Sequence, residues 1–330
     1  NAIASFLLGI PSEGNSDYPL FPMFRQWYAA PFVQDDWKIM PRLTLNLGAR
    51  WDFNMAPDEK YHRLNYRFDP NSGSPLNAMI NAAKFPQYTN LKGGLTFTHT
   101  GGNPDKSSAT RLGNIQPRIG AAFQLTPRLL MRGGYGRYYM NPGNDWMQTT
   151  GYSTSTPLVS SLNGGRTPIA NLLSNPYPSG ILVPSGASAG LDTFVGRNFN
   201  WFDPTFKTPS VDQFSFGFQM LVKSSGSLDV SYVGSRGRNQ QTQRDYNLPS
   251  LDFRRQCDPL EGGNPNYCNA QVANPFQGLQ PFYGTSFYSA PTLSRFQLNR
   301  PFPQFAGNLT RLGDNSGHTW YNSLQVNYKL

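Results

Sequence analysis

FVQDDWKIMPRLTLNLGARWDF, residues Phe32 to Phe53, decides the fold. Beyond Pro41 and Arg42, the residues Leu43, Leu45, Leu47, Ala49, Trp51 and Phe53 fall on one side of an extended chain. Thr44, Asn46, Gly48, Arg50 and Asp52 fall on the other, because successive side chains of a strand point to opposite faces. The eleven residues from Leu43 to Phe53 exceed the five or six common in globular strands. They match the roughly 9–11 that a tilted β-strand needs to cross a bilayer.

The design recurs twice as a pair and once alone. NIQPRIGAAFQL (Asn114 to Leu125) sets Ile115, Pro117, Ile119, Ala121, Phe123 and Leu125 on one face, and Thr126-Pro127-Arg128 turns the chain into LLMRGGYGRYYM (Leu129 to Met140). VDQFSFGFQMLV (Val211 to Val222) opposes Phe214, Phe216, Phe218 and Met220 to Gln213, Ser215, Gly217 and Gln219. After Lys223-Ser224-Ser225-Gly226 come Leu228, Val230 and Tyr232 in phase. A seventh strand, Trp320 to Leu330, carries Leu324, Val326, Tyr328 and Leu330 on one face.

Composition fits strands that span lipid. Charged residues are 14% of the chain, against about 25% in soluble domains. No apolar run is longer than Ala2 to Ile10, which excludes a transmembrane helix. The mean hydropathy of -0.50 is compatible with a barrel, whose lumen-facing positions and loops are polar. A soluble β-sandwich alternates in the same way, but with shorter strands and more evenly spaced turns.

The turns are unequal, and this sets the topology. Those near Pro41, Pro127 and Ser225 take two to four residues, whereas Asn54–Gly113, Asn141–Ser210 and Gly234–His318 each run to sixty or more. Compact soluble domains seldom carry structureless loops beyond about 12–15 residues. Outer-membrane barrels combine short periplasmic turns with long extracellular loops. The expectation is therefore an all-β, antiparallel transmembrane β-barrel segment of about seven strands. Its first strand, about Phe24 to Ile39, runs inward.

These stretches resemble a family. FVQDDWKIMPRLTLNLGARWDF is similar to a barrel hairpin of TonB-dependent outer-membrane receptors, more narrowly of their Oar-like branch. Further matches are ASFLLGIPSEG (Ala4 to Gly14), PRIGAAFQLTPRLLMRGGYGRYY (Pro117 to Tyr139), LSNPYPSGI (Leu173 to Ile181), TPSVDQFSFGFQ (Thr208 to Gln219), SYVGSRG (Ser231 to Gly237), NPFQGL (Asn274 to Leu279) and FPQFAG (Phe302 to Gly307). The resemblance implies a receptor of the bacterial outer membrane that captures an extracellular ligand and moves it through a plugged lumen with energy from the TonB complex. Such receptors carry an N-terminal plug and about 22 strands. No plug, TonB-contacting segment or signal peptide is seen in this sequence, which opens on Asn1. All 330 residues are accordingly read as part of a single barrel domain, about a third of its strands, which alone cannot close and leaves two sheet edges unpaired.

On this reading Leu43, Leu45, Leu47, Phe214, Phe216 and Phe218 face lipid. Trp37, Trp51, Phe53, Tyr138, Tyr139 and Trp320 fall near strand ends and form aromatic girdles at the headgroups. Within the loops, Leu76–Lys84 and Thr167–Leu173 are expected as short helices and Gly94–His99 as an extra strand. Cys257 and Cys268, in CDPLEGGNPNYC, are expected to close a disulfide in the last long loop, contributing roughly 3 kcal/mol by loop entropy.

The net charge of +9 comes without a basic run or nucleic-acid module, so nucleic acid is not a partner. The basic residues Arg236, Arg238, Arg244, Arg254 and Arg255 suit a solvated rim able to pair with lipopolysaccharide phosphates. Arg50 and Arg132 in the lumen suit anionic solutes.

Catalytic patterns are weak. Gly186-Ala187-Ser188-Ala189-Gly190, with Asp192 and His318 after it, follows the order of an α/β-hydrolase triad, but it lies in a Gly/Pro/Ser-rich loop and Asp192 follows too closely. Asp35 and Asp36 point to opposite faces and suit a salt bridge rather than a paired-carboxylate site. His62, His99 and His318 lie far apart in sequence and show no ligand spacing. Gly133-Gly134-Tyr135-Gly136 lacks phosphate-loop spacing, and its glycines relieve crowding in a strand. No enzyme, cofactor or metal is expected. The alternative function is a surface adhesin or carbohydrate-binding β-protein.

Overall fold

The structure is a computed structural model that describes residues 2–10, 14–140, 147–158, 160–161, 167–168, 174–177, 180–222 and 226–329. Seven long strands dominate it: β1 (Phe32–Met40), β2 (Leu43–Asn54), β3 (Arg111–Thr126), β4 (Leu129–Tyr139), β5 (Ser210–Val222), β6 (Gly226–Asp245) and β7 (Leu309–Lys329). Each is antiparallel to the next, in chain order. A short piece, Tyr28–Ala29, joins β2 beside β1, and Phe199–Phe202 runs parallel to the first residues of β7. β1 and β7 are not paired with each other among the described residues, so the barrel is not closed.

The first strand is shorter than the sequence predicts. Phe24–Arg25 and Tyr28–Ala29 are separate pieces, and β1 begins only after Pro31. A proline has no N–H to donate to a ladder. At the other end, β6 and β7 run past Gly234 and start well before Trp320, staying paired to Asp245 and Thr310 across several bulges. The 223–225 turn lies outside the described residues.

The register carries the main result. Leu45 is opposite Ala121, Ala121 opposite Gly133, Gly133 opposite Phe216, Phe216 opposite Tyr232, and Tyr232 opposite Leu324. The row through Leu43 runs in the same way through Phe123, Met131, Phe218, Val230 and Val326. Directly paired residues share a face, so the apolar sets of β2 to β7 merge into one continuous surface. Asn46, Gly120, Gly134, Ser215, Val233 and Ser323 form the matching row on the other face. Gly234 is needed where it stands: a Cβ there would lie 2.3 Å from the ring of Phe214, its cross-strand partner.

The long connections are not open loops. They fold over one end of the sheet into a cap with its own core, including Phe68, Leu76, Leu95, Phe97, Phe276, Phe282 and Phe305, all buried. Phe68 meets Phe302 edge-on with ring centroids 4.8 Å apart, and Phe199 meets Phe305 at 5.4 Å. Buried amides clamp the irregular backbone. Asn247 Nδ2 donates to the carbonyls of Phe302, Phe305 and Gly307, and its Oδ1 accepts from the Phe302 N–H. Asn274 Nδ2 donates to Phe287 and Ala290, and Gln304 Nε2 to Lys92. Two of the stretches that carry the family resemblance, NPFQGL and FPQFAG, are thus cap core, since a buried backbone without a ladder needs such partners.

Smaller expectations shift as well. The helix expected over Leu76–Lys84 is a 3-10 turn, Pro75–Ala78, capped by Ser74 Oγ. The amide of Asn77 within this turn bonds both the N–H and the carbonyl of Leu91, tying the segment to the loop that follows. The extra strand is Lys92–Phe97, paired with Asn65–Gly73. The helix expected over Thr167–Leu173 falls largely outside the described residues.

Candidate functional site

The polar face of the sheet holds a cavity of about 560 Å³, lined by Gln34, Asn46, Arg118, Tyr138, Gln213, Ser215 and Tyr321 among others. Gly48, Gly120, Gly134 and Gly136 also line it, so its floor is largely backbone. A Cβ on Gly136 would stand 2.9 Å from Tyr138 Oη, and the missing side chain is the room that ring uses. The Arg118 guanidinium lies over the Tyr138 ring, 5.1 Å from its centroid, a geometry that orients the cation without neutralising it.

Tyr138 is a correction to the girdle expectation. It projects into this cavity, whereas Tyr139 shares the apolar face, as adjacent strand residues must. Trp51 and Trp320 do share the apolar face near its cap side, while Trp37 lies in register with Leu45, in the middle of the apolar rows. The two arginines expected to attract anions are already satisfied. Arg50 donates to Asp52 at 2.7 Å and to Tyr28 Oη at 2.6 Å, and Arg132 pairs with Asp229. Arg118, which the sequence did not single out, is the cation that faces the cavity.

Asp35 and Asp36 do point to opposite faces, but neither forms an ion pair among the described residues. Asp36 accepts from the Asn46 amide, and Asp35 lies on the apolar side. Charge on that side concentrates where the rows reach the cap. Asp212 takes Arg137 at 2.7 Å, Arg238 at 3.5 Å and the Tyr135 hydroxyl at 2.8 Å. Arg236 and Trp320 are paired next to them.

The cap contains a second cavity of about 480 Å³, whose lining includes Met79, Leu182, Asp192, Phe194, Arg197 and Tyr283. Burial raises the Asp192 carboxyl above its ordinary range, partly offset by the Ser74 hydroxyl at 3.4 Å, and burial lowers Arg197. The serine motif does not assemble. Ser188 Oγ donates to the Ser185 carbonyl at 2.6 Å within a 3-10 turn, Asp192 faces Ser74, and His318 stands on β7 beside Arg236 and Trp320.

Cys257 and Cys268 are joined in the cap with Cα atoms 5.8 Å apart, bracketing the turn at Pro259–Glu261. His62 and His99, read from the sequence as unrelated, are neighbours with ring centroids 3.8 Å apart. The hairpin explains this: Asn65 pairs with Phe97, and Thr98 N–H donates to the Leu64 carbonyl. Antiparallel pairing then carries His62 and His99 to the same place.

Among solved structures, the chain is similar to the Serratia marcescens hemophore receptor HasR, solved as a double mutant in complex with its hemophore HasA and heme. The identity is 13%, with 92% of this chain and 32% of that chain covered and a TM-score of 0.39. It is also similar to the siderophore receptor PirA from Pseudomonas aeruginosa, at 10% identity, 92% and 39% coverage and a TM-score of 0.31. The chain spans about a third of the length of these receptors. A search of the curated proteins gives no match. Residues 1–329 match the family described as an outer membrane beta barrel domain. With strands, register and polar cavity in agreement, the chain belongs to that family, whose place is the bacterial outer membrane.

Proposed function

We propose that this chain forms part of a TonB-dependent receptor of the Oar-like branch, in which the cap captures an extracellular ligand and the polar face of the sheet lines the route inward. The observation that carries the reading is the two-sided sheet: apolar rows run across one face from β2 to β7, with charge at Asp35 on the edge strand and near the cap, and the other face bears a polar cavity. Along β7 the apolar set from Tyr328 to Trp320 covers about 26 Å at about 3.3 Å per residue, which at a strand tilt of about 40° spans about 20 Å of the roughly 25 Å apolar band of outer-membrane barrels. The ligand passes Arg118 and Tyr138, which suit an anionic or aromatic group. On this reading the TonB complex is the partner that supplies the energy for passage.

Leu43, Leu45, Leu47, Phe214, Phe216 and Phe218 contact lipid chains on this reading, with Trp51, Tyr139 and Trp320 at the headgroup level. Arg236 and Arg238 meet lipopolysaccharide phosphates at the same level. The Cys257–Cys268 disulfide, in an oxidising exterior, holds the cap loop.

The test is site-directed spin labelling of the protein in outer membranes. Labels at Leu45 and Phe216 are expected to respond to a lipid-soluble relaxation agent, and labels at Asn46 and Gln219 to a water-soluble one. Aqueous exposure of all four positions favours the adhesin reading. Dependence of ligand accumulation on TonB in whole cells then separates a receptor from a passive barrel.

A further inference from the structure

We propose that Asp58, His62 and His99 form a binding site for a transition-metal dication of the Zn²⁺ class, clipping the base of the cap together. Each offers one ligand atom, and these atoms all lie within 4.8 Å of one another. A tetrahedral ion with bonds of about 2.0–2.1 Å holds its ligands roughly 3.4 Å apart. Both histidines are exposed, so small side-chain rotations close the difference.

Two features hold the ligands in place. His99 Nδ1 lies 3.1 Å from Asp105 Oδ1, which sets a carboxylate beside the ring in the way that one often stands behind a metal-bound imidazole. The fully buried Glu59 carboxylate accepts the N–H groups of Met23, Tyr61 and Arg63, which fixes the turn between Asp58 and His62. Arg25 pairs with Oδ2 of Asp58 at 2.6 Å, and the ion takes Oδ1. Both histidines have φ of +59°, a left-handed backbone that histidine, like Asn and Asp, adopts more readily than other non-glycine residues.

The donor set selects the metal class. Two imidazoles and one carboxylate suit Zn²⁺, Ni²⁺ or Cu²⁺, whereas Ca²⁺ and Mg²⁺ require oxygen ligands. The site goes beyond the receptor reading and does not depend on it.

The test is Zn²⁺ titration of the intact protein extracted in detergent, followed by calorimetry and by diethylpyrocarbonate modification with peptide mass spectrometry. Wild type is expected to bind one Zn²⁺ per chain and no Ca²⁺ at equal concentration. Zn²⁺ is expected to protect His62 and His99 from modification and leave His318 reactive, a readout that needs no variant. His62→Asn and His99→Asn, which suit the left-handed backbone, are each expected to abolish the calorimetric signal, and Asp105→Asn to weaken binding by about tenfold. Unprotected histidines in wild type, or wild-type binding by the His62→Asn, His99→Asn double variant, overturns the proposal.

Discussion

The sheet and the cap bury their apolar residues in opposite ways. Phe276, Phe282 and Phe305 in the cap are 0% exposed, whereas Phe216, Leu324 and Val326 on the sheet are 49%, 70% and 60% exposed. The cap thus takes its apolar residues out of water with its own chain. The sheet leaves a broad run of apolar rows bare among the described residues, a patch far larger than single surface hydrophobics make on a soluble monomer. That difference separates a self-packed cap from a sheet whose apolar face the described residues leave bare.

The largest effect is expected from breaking the cap without touching the wall. Phe305→Ala removes a fully buried ring packed on Phe68 and Phe199, at a cost of about 3–5 kcal/mol. Limited proteolysis is expected to cleave the connections after Asp245 and before Leu309, while the heat-modifiable mobility of the membrane-inserted barrel persists. Loss of both together shows that the cap and sheet fold as one unit.

The wall is broken from the other side. Leu45→Arg puts a cation into the apolar rows and is expected to cost about 2–4 kcal/mol in lipid. Asn46→Arg, one residue away on the polar face, is expected to be nearly neutral. Equilibrium unfolding in vesicles measures both. Equal costs remove the sidedness on which the comparison stands.

A third variant probes the tightest contact in the cap. Gly93 has φ of +91°, and a Cβ there would lie 2.6 Å from Phe302 and 2.8 Å from Phe68. Gly93→Ala is expected to cost about 1–3 kcal/mol through overpacking, visible as faster cap proteolysis than in wild type and slower than in Phe305→Ala.

The wall was legible in the sequence because alternation is local: Leu43, Leu45 and Leu47 announce their shared face without reference to any other strand. The same rule, applied to Tyr138 and Tyr139, shows why both cannot serve one girdle. The cap was not legible. Phe68, Phe199, Phe302 and Phe305 come from three separate connections with no period among them, and the glycines and prolines around them read as loop. Its one local signal is the density of Asn, Gln and Phe in NPFQGL and FPQFAG, where buried amides replace a hydrogen-bond ladder. His62 and His99 were hidden for a related reason, since only the pairing of Asn65 with Phe97 brings them together.

The smallest effect tests whether the cap cavity is a binding site or only filler. Burial raises the Asp192 carboxyl, with Ser74 as its hydroxyl partner. A carboxyl whose folded-state value is raised keeps its proton more readily folded than unfolded. Its contribution to stability is therefore greatest at low pH and is lost as pH rises through the carboxylate range to the raised value. Asp192→Asn removes that dependence, so the variant's cap is expected to resist protease in urea better than wild type at neutral pH, with the gap closing on acidification. A variant weaker than wild type at neutral pH shows instead that the charged carboxylate is stabilised in the cavity, which then has the polarity of a site for cationic groups rather than that of a packed core.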